Sequence, residues 1–115
     1  MASMNKARAA WGRQFDCFLC GWPSSGPAEG TFQLEVHEMV RGCGRSKGVK
    51  MAAAWIRVCN ACHRIVESWP VARQLALKRS RDPENYDRVA VNLARGRQAE
   101  AISEQDVDAW DRSEA

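Results

Sequence analysis

No run in this sequence approaches the roughly 20 consecutive apolar residues that cross a bilayer as a helix, so a helical membrane protein is excluded and no membrane partner is expected. Met1 to Arg8 show no apolar stretch ahead of a cleavage site. No signal peptide is therefore expected, and the cytoplasm is the expected compartment. No internal repeat is visible, and the GxxxxGK[ST] spacing of a Walker-type phosphate loop is missing. Histidine is scarce as well. His37 and His63 are the only two, so any imidazole chemistry must use one or both.

Cysteine, by contrast, is present in a telling pattern. Four of the five cysteines form two pairs, Cys17-x-x-Cys20 and Cys59-x-x-Cys62. Two such knuckles supply the four thiolates of a tetrahedral Zn²⁺ site and staple distant parts of the chain together. The odd count, the paired spacing and the missing secretory signal favour zinc over a disulfide framework. A thioredoxin-like redox motif would want a single pair in a βαβ setting. Cys43, between Gly42 and Gly44, reads as a small loop residue. Gly21, just past the second cysteine, allows the tight turn of a knuckle.

At 115 residues the chain is of single-domain size. Its hydrophobic fraction of 45% owes much to alanine and its mean hydropathy is negative, so its core is modest and a structural metal would help it. The net charge of +3 conceals an asymmetry. From Arg41 to Arg81 there are ten Lys/Arg against one acid, Glu67, whereas from Gln98 onward six acids face Arg112 alone. A basic middle joined to an acidic end suggests a polyanion partner for the middle, with solvated helix faces and a soluble tail as the other reading.

Three segments follow: a basic N-terminal arm (1–16), a zinc-bearing domain (17–69) and a helical C-terminal extension (70–115) that packs on or extends from it. Thr31 to Met39 alternates, with Phe32, Leu34 and Val36 on one side and Gln33, Glu35 and His37 on the other, the signature of a half-buried strand. A Gly-rich basic loop with Arg41, Arg45 and Lys47 comes next, and its glycines let backbone N–H groups approach a phosphate. Trp55 to Val58 reads as a second strand delivering the second knuckle. Asn60 to Ser68 reads as a helix with Ile65 and Trp69 one turn apart, broken at Pro70. Another helix spans Val71 to Arg79. Asp82 as N-cap and Pro83 at N1 predict a helix through Tyr86, Val89 and Leu93 that stops at Gly96. Ser103 and Asp106 form a capping box for a last helix carrying Val107 and Trp110.

Glu67 lies four residues after His63 and so shares its helical face. Together with His37 at the strand end, these side chains can hold one divalent cation and leave positions for phosphate and water. Metal-assisted phosphodiester hydrolysis needs that arrangement. Glu38 stands ready as the base or as an orienting partner. Two other readings stay open: His63, beside Cys62, also suits a hydrogen bond to a zinc-bound sulfur, and Glu67 also suits an ordinary exposed helix position.

The order CxxC, Leu-x-Val-His-Glu at a strand end, then Trp-x-x-x-CxxC-His resembles the HNH (His-Me finger) endonucleases, and within them phage- and prophage-type zinc-containing members. The resemblance spans about Cys17 to Glu67. It implies a small α+β fold with a ββα-metal core stapled by a four-cysteine zinc, a catalytic Mg²⁺ or Mn²⁺, DNA as substrate, action in the bacterial cytoplasm, and a phage protein as a conceivable partner. Carried over, His37 and Glu38 fall on the catalytic strand-end pair, and His37, His63 and Glu67 on the ligands of the catalytic metal. Arg41, Arg45, Lys47, Arg57 and Arg64 fall where phosphates would pass. The chain departs from the pattern in three places. Glu38 stands at the base position, where a carboxylate is a weaker base than imidazole at neutral pH, unless His37 itself is the base. Glu67 replaces a histidine ligand, and the family's central Asn falls near Ala54.

Overall fold

A computed structural model describes residues 16–21, 34–40 and 51–114. Within them, a two-stranded antiparallel sheet and four α-helices form a small α+β fold. Strand β1 (Glu35–Glu38) pairs with β2 (Trp55–Val58) in the register Glu35↔Val58, Val36↔Arg57, His37↔Ile56 and Glu38↔Trp55. Because side chains alternate along a strand, Glu35 and His37 share one face with Ile56 and Val58, while Glu38 belongs to the other. The ladder is shorter than the alternation predicts, and residues 31–33 of the expected strand lie outside the described residues. A 3₁₀ turn at Ala52–Ala54 leads into β2, and the Met39 N–H donates to Ala54 O at 2.8 Å.

Helix α1 (Asn60–Glu67) packs against both strands. Its inward residues are Cys62 and Val66, whereas Ile65 is 49% exposed. The knuckle decides the rotation. Cys59 caps the helix by accepting from Cys62 N through its sulfur at 3.4 Å, and the face one turn on from Cys62 then points inward.

Helix α2 (Val71–Arg81) follows Pro70 and buries Leu75 and Leu77 with two polar residues one turn apart, Gln74 and Lys78. The single helix expected from Asp82 to Gly96 is instead a 3₁₀ turn (Pro83–Asn85) followed by α3 (Arg88–Ala94). The reason is competition for the cap. The Asp82 carboxylate accepts from Lys78 Nζ at 2.7 Å and from Asn85 Nδ2 at 3.0 Å, and makes no capping bond. Asp87 caps α3 instead, accepting from Ala90 N at 3.0 Å. Leu93 on this helix is 52% exposed.

Gly96 ends α3 as expected, with φ of +76°. Its N–H donates to Leu93 O and that of Arg97 to Asn92 O, both at 3.0 Å, the paired bonds of a Schellman motif. Helix α4 (Glu104–Glu114) begins with the reciprocal Ser103–Asp106 box, at 2.8 and 3.2 Å, and packs along α2. The core joins Val40, Ile56, Val58 and Val66 to Leu75, Val91 and Val107, all fully buried. The extension therefore shares one core with the hairpin. No helix among the described residues is long and apolar enough to cross a membrane.

Candidate functional site

Two clusters of metal-type donors lie on the hairpin–helix unit. In the first, Cys17, Cys20, Cys59 and Cys62 bring their sulfurs within 4.8 Å of one another, and all four thiols are free. Gly21 turns the first knuckle with φ of +76°, and its N–H donates to Cys17 O at 3.0 Å. Cys59 N–H donates to Cys17 Sγ at 3.3 Å.

Burial by itself would raise the Cys17 thiol, but N–H groups of Cys20, Cys59 and Leu19 outweigh it and bring it down to about 7. Cys62 goes the other way, pushed up by burial and then by the three neighbouring sulfurs. Four sulfurs this close resist joint ionisation without a cation between them. The donor set fits a metal ion such as zinc.

The second cluster is built across β1 and α1. His37 Nδ1 and His63 Nε2 face each other at 3.2 Å, with the rings nearly edge to face. Glu67 Oε2 lies 3.9 Å from His63 Nε2. The three side chains place one donor atom each within 4.8 Å of the others.

The outer nitrogens are both engaged. His37 Nε2 lies 2.8 Å from Gln74 Oε1. The orientation of that amide is set in turn, because Gln74 Nε2 donates to Trp69 O at 2.9 Å. The amide oxygen therefore faces His37, and His37 carries its proton on Nε2. His63 Nδ1 lies 2.6 Å from Glu35 Oε1, and Glu35 Oε2 accepts from Asn60 Nδ2 at 3.2 Å. A nitrogen beside a carboxylate carries the proton, so His63 is protonated on Nδ1. Both lone pairs then point into the space between the rings. Two ring nitrogens 3.2 Å apart are held together by a shared proton or by a cation between them, and outer partners that fix the tautomer are what a metal-ligating histidine has.

The remaining expected residues are placed unevenly. Glu38 is buried and lines a cavity of about 350 Å³ together with His37, Glu67, Gln74, Arg95 and Arg97, but it stands outside the ligand cluster. Arg64 is exposed on α1. Arg57 corrects the expectation of a phosphate-facing surface. It is 0% exposed, its Nε donates to Asp16 O at 3.0 Å and its guanidinium lies 4.8 Å from the Phe18 ring centre. Burial pushes it down to about 10, against the opposing pull of Asp82 and Asp16. Its face of the sheet is covered by the first knuckle, so it braces the fold. Arg41, Arg45 and Lys47, like Cys43, lie outside the described residues.

Glu35, Gln74 and Asn60 join the site without having been expected there. For Glu35 a signal exists, since strand alternation puts it on the His37 side. Gln74 sits 37 positions from its partner and carries no local signal. Comparison with protein-family models, curated proteins and solved structures returns no match, so the reading of the site rests on its own geometry.

Proposed function

We propose that this chain is an HNH-like, divalent-metal-dependent endonuclease that hydrolyses DNA phosphodiester bonds, built on a ββα-metal core whose four-cysteine zinc is structural. The observation that carries the reading is the pair of histidine nitrogens facing each other at 3.2 Å, each ring held by an outer partner and flanked by Glu67. A zinc closed by four thiolates has no open position and serves as frame.

His37 Nδ1, His63 Nε2 and Glu67 would hold Mg²⁺, Mn²⁺ or a similar cation, which supplies charge neutralisation on the phosphate and leaving oxygen when bound. Gln74 and Glu35 keep the two imidazoles in the ligating tautomer. With His37 committed to the cation, Glu38 on the cavity wall is the group left to take the proton of the attacking water. Purified protein given Mg²⁺, Mn²⁺ or Ni²⁺ is expected to nick supercoiled plasmid, and His37→Ala to abolish nicking. Intact plasmid with every metal and several DNA structures would overturn the reading.

A second reading is favoured by one observation. Ala54, near which the family's Asn falls, is a fully buried alanine whose carbonyl accepts from Met39 N, and it offers no side-chain amide to orient the histidine. The chain would then be a degenerate zinc module binding nucleic acid or a phage protein. It would bind DNA in a salt-sensitive way, indifferent to His37→Ala, and cut nothing.

A further inference from the structure

The cavity beside the histidine pair is closed on one side by a segment from the C-terminal extension. Arg95 and Arg97 both line it, together with His37, Glu38 and Glu67. Their positions follow from the end of α3. Gly96, in the left-handed conformation, reverses the chain between them, and α3 itself packs on the Ala52–Ala54 turn that precedes β2. The helix end is thereby fixed against the hairpin end where β1 delivers His37 and Glu38.

Neither guanidinium has an ion pair or hydrogen bond among the described residues. Arg79 and Arg88 are held by carboxylates and Arg73 lies over Trp69, whereas Arg64 and Arg81, unpaired as well among the described residues, are exposed and line no such cavity. Arg95 is half-buried, and burial and then the charge of Arg97 push it below its ordinary value. A helix C-terminus favours a cation, which accounts for one arginine there. It does not account for two that repel each other on the wall of a polar cavity while carboxylates are plentiful on the same extension. An anion seated between them would relieve the repulsion and fill their donors in forked geometry.

We propose that Arg95 and Arg97 form an anion clamp that seats a nucleic-acid phosphodiester against the His37–His63–Glu67 centre. The clamp rests on the reading of that centre as a phosphodiesterase site, and it gives the C-terminal extension a part in substrate binding. It holds the phosphate beside the cation, in the cavity that Glu38 also lines.

The test is binding of a labelled duplex of about 20 base pairs to zinc-loaded protein without added divalent ion, followed by fluorescence anisotropy across a salt series. Arg95→Gln/Arg97→Gln is expected to weaken binding about tenfold or more and to flatten the log–log salt slope by about 2, one for each phosphate no longer neutralised. Arg95→Lys/Arg97→Lys is expected to restore the slope. The glutamine variant should melt no lower than wild type, since it removes a like-charge repulsion, so weaker binding cannot be assigned to unfolding. An unchanged slope and affinity in the glutamine variant, or a wild type that binds no duplex, would overturn the clamp.

A parallel arm titrates inorganic phosphate and follows the melting temperature. Stabilisation by phosphate that disappears in the glutamine variant, with duplex binding unaffected, would overturn the assignment to a phosphodiester. The nuclease reading fails separately. A wild type that binds duplex through these arginines but cuts nothing keeps the clamp and loses the nuclease, and a wild type that cuts as well as its glutamine variant does the reverse.

Discussion

His37 has two ring nitrogens with two different tasks. One donates to Gln74, and the other turns its lone pair toward His63. Gln74 is 4% exposed, and its amide is useful here because both ends are bonded. Removing it frees the tautomer and strands two partners. Gln74→Leu is expected to weaken Mn²⁺ binding at the histidine pair by about 10- to 100-fold, read by calorimetric titration of zinc-loaded protein. It should also cost about 1–3 kcal/mol in urea unfolding through the unmet Trp69 carbonyl. Lys78 makes a related case away from the site. Fully buried, it donates to Asp82 Oδ2 and to Trp55 O, both at 2.7 Å. Lys78→Ala leaves a buried carboxylate short of its cation and is expected to cost about 3–5 kcal/mol. Lys78→Met with Asp82→Leu should recover most of that loss, measured by the urea midpoint.

At the scale of elements, the acidic end of the chain has a definite place. Helix α4 lies along α2, where Arg79 reaches Glu104, Asp108 and Asp111, and Arg73 stacks between Trp69 and Trp110 at 3.8 and 5.2 Å. The Arg79 side chain is 27% exposed and its carboxylates more so, so each pair alone is worth little. The cluster acts jointly. Arg79→Glu is expected to lower stability by about 1–2 kcal/mol at low salt and by clearly less at about 1 M NaCl, because screening removes the new repulsion. Equal losses at both salts would mean that packing, and not charge, holds α4.

The same elements mark what was legible in the sequence. The knuckle turn at Gly21, the stop at Gly96 and the Ser103–Asp106 box are local codes, satisfied by residues within a few positions of each other, and they appear where the sequence put them. Gln74, Lys78 and Arg57 were not legible as buried. Each has a partner 23 to 41 positions away, and nothing in a polar side chain's neighbours says that it will be turned inward. Asp82 shows how a local code is overruled: it has the spacing of a cap, but the Lys78 ammonium one turn back takes the carboxylate first. The outward turn of Ile65 has a similar cause, since the cysteine knuckle fixes the rotation of α1.

For the whole molecule, the two donor clusters divide the labour. The sulfurs tie residues 17–20 to the end of β2 and the start of α1, and this junction orients His63. The purified chain is expected to carry about one zinc, measured by atomic emission. Stripping it with a chelator, or replacing Cys59 by Ser, should abolish Mn²⁺ binding at the histidine pair as well, because α1 loses its anchor. His37→Ala should leave zinc content at its wild-type level. Zinc and Mn²⁺ sites that respond independently to Cys59→Ser would contradict this coupling.

The central claim is that His37, His63 and Glu67 make a second cation site apart from the four sulfurs. Anomalous diffraction from crystals soaked in Mn²⁺, recorded at the manganese and zinc edges, tests it most directly. The prediction is a zinc peak among the sulfurs of Cys17, Cys20, Cys59 and Cys62, and a manganese peak bounded by His37 Nδ1, His63 Nε2 and the Glu67 carboxylate. No manganese peak at the histidine pair, with the two rings' facing nitrogens still 3.2 Å apart, would contradict it.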